Sequence, residues 1–253
     1  MHPVLFNIGS ICIYSYGFMI AVAFSVGTYL SRRAAKEAKI DPDFIVNLAF
    51  LLLFSGLIGA RLLYVTLNIR DYMQDPLEIL MLPHGGLSIY GGIFFAAVTG
   101  IIYARKKGYP VYKIGDLLIP YVALGQAIGR IGCFLNGCCF GRPADSVFGV
   151  IFPGHGQPLH PTQIYSSLAM IFLYGFLRLL QKLNLKEGVV LFSYGLLYSA
   201  GRFFMEFLRG DNTVILFGLT FSQIAGILIF VVSSVFLWKR LRLKPVQKTP
   251  PKG

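Results

Sequence analysis

Charged residues are scarce in this sequence of 253 residues. They make up 13% of it, whereas 55% of the residues are hydrophobic and the mean hydropathy is +0.66. This balance excludes an ordinary soluble domain, in which about 25% of the residues are charged. There are only four cysteines, too few and too unevenly placed for the disulfide framework of a small secreted protein. No basic residue precedes the first apolar run, so we do not expect a cleavable signal peptide.

Long apolar runs recur along the chain. A run of about 18 or more apolar residues can cross the ~30 Å hydrocarbon core of a bilayer. The runs predict an all-α polytopic membrane protein with seven transmembrane helices in a single domain over residues 1–240. A basic tail at 241–253 is expected to be disordered and cytoplasmic. The predicted spans are 14–32, 44–68, 87–104, 113–135, 162–180, 188–208 and 217–238.

Acidic residues are also few, 11 against 23 lysines and arginines, which gives a net charge of +12. An excess of this kind can indicate nucleic-acid binding. Here, however, most basic residues fall in the first, third and fifth connections between spans and in the C-terminal tail. The positive-inside rule therefore explains the charge, and it predicts an external N-terminus and a cytoplasmic C-terminus.

Three arginines lie within predicted spans: Arg61, Arg130 and Arg202. A charge at the bilayer centre costs at least ~2.5–3.5 kcal/mol, so each needs a polar cavity or a partner. All three lie toward the outer ends of their spans, and Glu206 is the one good intramembrane partner. We therefore expect an anionic ligand at the outer leaflet. A transporter would instead place its charges near the midplane and show internal repeats, and no repeat is evident.

The sixth predicted span carries a polar stripe made of Tyr198, Arg202, Glu206 and Arg209. Their spacing of 4, 4 and 3 residues places them on one helical face. Arg202 and Glu206 are expected to form an ion pair, because a planar guanidinium suits a carboxylate. The stripe is typical of a functional cavity, and the alternative is a polar seam between helices.

Glycine pairs and aromatic residues mark the beginnings of two other spans. Gly85–Gly86 and Gly91–Gly92 are expected to allow close backbone approach, with Tyr90 beside the second pair. His84 is expected to be solvated at the interface. Tyr16 fits either an interfacial aromatic belt or a polar role beside the arginines.

The sequence GRIGCFLNGCCFG, residues 129–141, contains three of the four cysteines: Cys133, Cys138 and Cys139. The spacing is not that of a C-x2-C zinc or redox motif. Because Cys138 and Cys139 are adjacent, we expect that they cannot easily share one metal ion. Buried thiols in a membrane helix usually act as small hydrophobes. A metal site completed by His155 or His160, or a thiolate role beside Arg130, remains open.

Together these motifs resemble those of the bacterial phosphatidylglycerol–prolipoprotein diacylglyceryl transferases over nearly the whole chain. They occur in the order found in that family. The matching pieces are YGFM at 16–19, GARLLYV at 59–65, GGLSIYGG at 85–92, GRIGCFLNGCCFGRP at 129–143, HPTQIY at 160–165 and YSAGRFFMEFLR at 198–209.

The resemblance implies an enzyme of the bacterial inner membrane whose active site faces the outer leaflet. Such an enzyme moves the diacylglyceryl group of phosphatidylglycerol to the lipobox cysteine thiol of a preprolipoprotein. A thioether forms and glycerol phosphate leaves. No metal, organic cofactor or nucleic acid is implied. The alternatives are a paralogous lipid-using transferase with another acceptor, and a transporter of an anionic lipid or metabolite.

The resemblance and the intramembrane arginines together predict two overlapping sets of site residues. The catalytic set is Arg130, Arg202, Glu206, Tyr198 and Tyr90. The set that binds phosphatidylglycerol is Arg130, Arg202, Arg61, Tyr16, Asn136, Gly141 and Arg209. Within the first set, Glu206 is expected to orient Arg202.

The sequence departs from the family pattern at three positions. The strict signature has asparagine where this chain has Cys133 and glutamate where it has Cys138. Some members have a histidine at the position of Tyr90. A tyrosine cannot act as the base for the acceptor thiol at its ordinary pKa of about 10. The departures imply either an active transferase with a rearranged polar network or a paralogue with another acceptor.

Overall fold

The computed structural model describes residues 1–8, 11–73, 75–81, 85–144, 147–183, 185–209, 214–216 and 218–242. Within these ranges the chain forms eight α-helices, one 3-10 helix at Pro76–Leu80 and three two-stranded antiparallel sheets. The helices are α1 (Ser15–Glu37), α2 (Pro42–Leu67), α3 (Ile69–Tyr72), α4 (Ile89–Lys106), α5 (Val111–Asn136), α6 (Thr162–Lys182), α7 (Val189–Leu208) and α8 (Phe221–Arg242). The strands are β1 (Val4–Ile8), β2 (Ile11–Tyr14), β3 (Val150–Ile151), β4 (Pro158–Leu159), β5 (Val214–Leu216) and β6 (Leu219–Thr220).

The predicted all-α class is confirmed, and every described helix except the short α3 covers most of one predicted span. By length and composition, α2, α5, α6 and α8 are apolar enough to cross a membrane. Seven crossings and the orientation of the termini stay predictions. The predicted tail begins inside α8, which ends at Arg242, and residues 243–253 lie outside the described part of the chain.

The chain divides into two compact units. One comprises Ser31–Ile114, and the other comprises Met1–Leu30 together with Gly115–Gly253. The sequence predicted a single domain over residues 1–240, and this stays a prediction.

In the unit of residues 31–114, α2 packs against α4 along glycines. A Cβ added at Gly59 would collide with Phe95, and one at Gly91 would collide with the carbonyl of Gly59. Only a residue without a side chain therefore fits at either position, and the close approach expected at Gly91–Gly92 is confirmed. Small residues let helix backbones approach in this way within membranes.

In the other unit, α5, α6 and α7 enclose a core of Ala123, Leu173, Leu177 and Val190. Polar side chains also join these helices. The Ser167 hydroxyl donates to the carbonyl of Ala127 at 2.9 Å, and the Tyr194 hydroxyl donates to Gln126 Oε1 at 2.9 Å. Because hydrocarbon offers no hydrogen-bonding partner, groups of this kind are expected to pair across helices.

The N-terminus of α7 is satisfied by a side chain from α5. The Asp116 carboxylate accepts the backbone N–H of Gly188 at 2.6 Å and that of Leu191 at 2.7 Å. The first N–H groups of a helix have no partner within the helix, and a carboxylate there also complements the helix dipole. Asp116 therefore fixes the residue at which α7 begins. Because the helix is continuous, this also fixes the direction in which the side chains of the polar stripe point later in α7.

Candidate active site

The polar stripe of α7 is organised around a buried carboxylate. Glu206 is 4% exposed, and its Oε2 lies 2.9 Å from Nη2 of Arg202, which confirms the predicted ion pair. Its Oε1 accepts the hydroxyl of Thr220 at 2.7 Å. Thr220 is itself fixed, because Gln223 Oε1 accepts its backbone N–H at 3.0 Å. The carboxylate therefore holds Arg202 in one orientation.

The side chain of Arg202 remains partly accessible. The side chain is 20% exposed, and Nη2 also donates to the Ser222 hydroxyl at 3.4 Å. One turn earlier, the ring of Tyr198 stacks on that of Tyr194, with 5.4 Å between centroids and 15° between planes. The Tyr194 hydroxyl is anchored on Gln126, so the stack fixes Tyr198 beside the arginine.

Arg130 lies in α5, six residues before the helix ends, and is half-buried. Within the described residues its guanidinium makes no hydrogen bond and no ion pair. The carboxylate that the family signature would supply is replaced by the Cys138 thiol. A partly buried cation without a counter-charge is a strong binding point for an anionic ligand.

The end of α5 explains how two of the three thiols meet. Gly137 has a φ of 73° and ends the helix. Its N–H donates to the carbonyl of Phe134 at 3.1 Å, and the N–H of Cys138 donates to that of Cys133 at 3.1 Å. This pair of bonds is a Schellman motif, which folds the chain back over the last helical turn. Cys138 therefore returns to Cys133, beside Asn136.

The third thiol joins them through an unusual backbone conformation. Cys139 has a φ of 64°, in the left-handed region that non-glycine residues rarely adopt. The sulfur atoms of Cys133, Cys138 and Cys139 all lie within 4.8 Å of one another. We expected that Cys138 and Cys139, being adjacent, cannot easily share one metal ion. The turn at Gly137 and the positive φ of Cys139 nevertheless bring both sulfurs close to that of Cys133.

The environment of the thiol cluster favours negative charge at one sulfur. The pKa of Cys139 is lowered to about 5, chiefly because the Cys133 thiol donates a hydrogen bond to it. Burial opposes this shift, while the positive charges of Arg209 and Arg130 assist it. Burial raises the pKa of Cys138. Cys139 is therefore the thiol of the loop that is most readily ionised.

Two buried side chains at the start of α6 hold this loop from behind. The Thr162 hydroxyl donates to the carbonyl of Cys139 at 2.8 Å, and Gln163 Nε2 donates to the carbonyl of Cys138 at 2.6 Å. Thr162 is 2% exposed and Gln163 is 0% exposed. Neither residue was among the predicted site residues. The available signal was the pair of polar residues that open an otherwise apolar helix.

Gly141 acts through the absence of a side chain. Its N–H donates to the carbonyl of His160 at 2.8 Å, and the residue forms an antiparallel bridge with Arg209. An added Cβ would lie 2.5 Å from the carbonyl oxygen of Leu208, 2.8 Å from Thr162 Cγ2 and 2.9 Å from His160 Cβ. The residue therefore lets the cysteine loop, the start of α6 and the end of α7 meet.

Tyr16 lies in the first turn of α1, against the last turns of α5. A Cβ added at Gly132 would lie 3.5 Å from Tyr16 Cα and 2.9 Å from Met19 Cβ. The tyrosine is 44% exposed, so its ring is open to a ligand beside the cysteine loop.

Arg61 and Tyr90 belong to the unit of residues 31–114. Arg61 is 5% exposed, and its guanidinium lies over the ring of Tyr72 at 5.2 Å. The guanidinium donates to the carbonyl oxygens of Glu78, Ile79, Met81, Gly85 and Gly86. These contacts fix a loop, and the lipid-binding role of Arg61 stays a prediction. Tyr90 is 41% exposed near the start of α4, and its catalytic role also stays a prediction; His84 lies outside the described residues.

An apolar cavity of about 250 Å³ opens between α7 and α8. Phe203, Phe204 and Phe230 line it, together with Ser199 and Gly226. Phe203 follows Arg202 directly in the sequence, so one end of the cavity lies next to the polar stripe.

Comparisons with known proteins agree with one another. The sequence model of the family "Prolipoprotein diacylglyceryl transferase" matches residues 3–239. The chain is 40% identical to the phosphatidylglycerol–prolipoprotein diacylglyceryl transferase of Clostridium tetani, over 83% of this chain and 86% of that protein. It is 36% identical to transferase 2 of that name from Clostridium perfringens over the full length of both. It is 37% identical to the Synechococcus elongatus transferase, over 84% of this chain and 78% of that protein.

Proposed function

Because the chain belongs to the prolipoprotein diacylglyceryl transferase family, we propose that it transfers the diacylglyceryl group of phosphatidylglycerol to the lipobox cysteine thiol of a preprolipoprotein. A thioether forms at the glyceryl carbon, and glycerol phosphate leaves. The observation that carries this proposal is Arg202, held by a buried carboxylate while part of its side chain stays accessible.

The charges of the site suit this reaction. The glycerol phosphate that leaves gains a negative charge as its ester bond to the glyceryl carbon breaks. Donors fixed in place before the reaction stabilise such charge without reorganising, and they act most strongly where water is excluded. Arg202 is fixed by Glu206, and Arg130 forms no ion pair with a carboxylate within the described residues. We assign the departing phosphate to these two guanidiniums, with Tyr198 beside Arg202.

We place four further predicted residues around that phosphate site. Gly141 and Arg209 form the bridge that joins the cysteine loop to the end of α7. Asn136 precedes the turn that carries the thiols, and Tyr16 lies across from it on α1. We assign these residues to holding the phosphatidylglycerol head group. One acyl chain then lies in the apolar cavity between α7 and α8.

The setting of the enzyme follows from the same proposal. The seven long helices cross the bacterial inner membrane with the N-terminus outside. The ends of α5 and α7 that carry Arg130, Asn136 and Arg202 then face the outer leaflet. Secreted preprolipoproteins and phosphatidylglycerol meet there, and the basic C-terminal segment stays in the cytoplasm.

The test is transfer of labelled diacylglycerol from phosphatidylglycerol to a lipobox peptide by membranes that contain the protein. Replacing either Arg202 or Arg130 with alanine should lower the rate by at least about 100-fold, because one preorganised donor contributes about 10²–10³. Arg32→Ala is the matched control, since Arg32 forms only an exposed ion pair with Asp43. Full activity of both site variants would refute the assignment.

A different acceptor is the second candidate function, and the thiols at Cys133 and Cys138 favour it, since the family signature has polar residues there. Complementation separates the two. Cells depleted of their own diacylglyceryl transferase should grow when they express this chain. Wild-type transfer in vitro to a non-lipobox thiol, without complementation, would favour the other acceptor.

A further inference from the structure

The proposed function gives no role to the three thiols that the fold brings together. Cys133, Cys138 and Cys139 are partly buried and free of disulfides, and their sulfur atoms lie within 4.8 Å of one another. The Schellman turn at Gly137, and Thr162 and Gln163 behind the loop, hold this arrangement. Cys139 keeps a φ of 64° in it, an unfavourable conformation that cysteines used only as packing would not need.

The distances suit a soft metal ion. A zinc–sulfur bond of about 2.3 Å in tetrahedral geometry separates two sulfur ligands by about 3.8 Å. The three sulfurs lie within 4.8 Å of one another, so each pair is at most about 1 Å farther apart than this separation, a gap that side-chain rotations can close. Thiolates select zinc, copper(I) and other soft ions over magnesium or calcium. Within the described residues the cluster includes no histidine or carboxylate, so three sulfurs form the whole ligand set.

The charge balance also suits such an ion. Three thiolates and one Zn²⁺ carry a net charge of −1, which is costly in a partly buried site unless cations are near. Arg130 lies about one helical turn before Cys133 in α5, and Arg209 forms a backbone bridge with Gly141, two residues after Cys139, so both can supply that positive charge. Three protein ligands around zinc leave the fourth position open, which is the arrangement of catalytic rather than structural zinc sites.

We propose that Cys133, Cys138 and Cys139 bind a zinc ion whose open position takes the acceptor thiol and activates it for alkylation. This inference rests on the proposed function for the identity of the acceptor. From the sequence we expected no metal; the convergence of the three sulfurs is the observation that changes this.

The step balances without a redox partner. When the acceptor thiol binds zinc, its proton passes to solvent, because a coordinating thiol is deprotonated. The sulfur remains a nucleophile, as metal coordination is one way to activate one. An electron pair of the sulfur forms the C–S bond with the glyceryl carbon. The C–O bond of that carbon breaks, and its electron pair leaves with glycerol phosphate beside Arg130 and Arg202. The thioether is neutral, binds zinc weakly and departs.

The first measurement is metal content. Full-length protein purified in detergent should carry about one zinc ion per chain, as expected for a single catalytic site. Cobalt(II) in its place should give thiolate-to-cobalt charge-transfer bands. The triple variant Cys133→Ser, Cys138→Ser, Cys139→Ser should lose both, while Cys12→Ser, which alters the exposed fourth cysteine, should keep both. A wild-type protein that binds neither metal, or a triple variant that binds both, overturns the proposal.

The second measurement tests the open position without depending on turnover. A lipobox peptide added to the cobalt protein should strengthen the charge-transfer band, because a fourth sulfur joins the ion. The same peptide with serine in place of its cysteine should not. An unchanged spectrum with the thiol peptide overturns the acceptor role.

The third measurement uses chelation and needs no variant. Removing zinc from the wild-type protein should lower transfer by at least about 100-fold, the lower range for losing activation of a nucleophile, and zinc should restore it. Unchanged transfer after complete removal overturns the proposal. If the zinc-loaded protein transfers nothing while its cobalt spectrum still responds to the thiol peptide, the proposed function fails and the thiol-binding metal site stands.

Discussion

Gly141→Ala is the single substitution that should most damage the site without removing a functional group. The glycine lies where the cysteine loop, the start of α6 and the end of α7 meet. An added methyl group would lie 2.5 Å from the carbonyl oxygen of Leu208, and 2.8 and 2.9 Å from carbon atoms of Thr162 and His160. The Leu208 oxygen belongs to the backbone, and the Thr162 and His160 carbons lie within two bonds of the backbone of their own residues. Rotating a side chain therefore cannot relieve the clash.

The structure gives the size of the effect. Overpacking of this kind costs about 1–3 kcal/mol. Two of the hydrogen bonds that join the segments, from Gly141 N–H to the carbonyl of His160 and from Arg142 N–H to that of Leu208, are both 2.8 Å long and must lengthen. Weakening them adds about 1 kcal/mol. We expect the free energy of unfolding to fall by about 2–4 kcal/mol, which lowers Tm by about 5–15 °C in a chain of this size.

Activity should fall further than stability suggests. Breaking the bridge between Gly141 and Arg209 displaces both Arg209 and the thiol loop from their positions. A displacement of about 1 Å can lower the rate ~100-fold. The assays are diacylglyceryl transfer and thermal unfolding in detergent. Gly201→Ala is the matched control: it lies next to Arg202 in α7, and an added Cβ meets nothing within 4 Å. It should keep activity and gain about 0.5–1 kcal/mol. Equal Tm and transfer rate for both variants would refute this reasoning.

Three further predictions concern polar groups within one unit or the other. Glu206→Gln leaves Arg202 without its carboxylate, so it should lower the free energy of unfolding by about 3–5 kcal/mol and also reduce transfer activity. Thr220→Val removes one donor to Glu206 and should lower the free energy of unfolding by about 1–3 kcal/mol. Thermal unfolding of both variants measures the difference. Arg61→Lys keeps the positive charge but removes the planar guanidinium that contacts five carbonyls. It should therefore lower Tm and leave the KM for phosphatidylglycerol unchanged. A raised KM at an unchanged Tm would instead show that Arg61 binds lipid. Asp116→Asn should cost about 0.5–2 kcal/mol through the N-terminus of α7 and leave kcat unchanged, and a loss of kcat at normal stability would contradict a purely structural role.

The features that could be predicted from the sequence depend on local patterns. The long helices coincide with apolar runs, because a run of that length has few other stable conformations in a membrane. The Arg202–Glu206 pair follows from a spacing of four residues on one helix. The close approach at Gly91 follows from the pairing of glycines in an apolar segment.

The features that could not be predicted depend on contacts far apart in the sequence. The carbonyls that Arg61 contacts converge only through the loop conformation, which no periodicity describes. The meeting of Cys133 and Cys138 had a readable signal, since glycine at Gly137 is typical of a helix C-terminus. The position of Cys139 had none, because its φ of 64° opposes the local preference of cysteine and is accompanied by a contact with Thr162.

The support that α6 gives to the cysteine loop has a consequence for how the protein is made. Gln163 follows Cys138 by 25 residues, so it leaves the ribosome about 1–5 s later at ordinary rates of synthesis. Thr220, which holds Glu206, emerges later still. A growing chain therefore contains Arg130 and all its thiols well before either is held in working geometry. The proposed phosphate site and the thiol cluster can form only after α6 and α7 have been synthesised, so we expect truncated translation products to be inert rather than partly active.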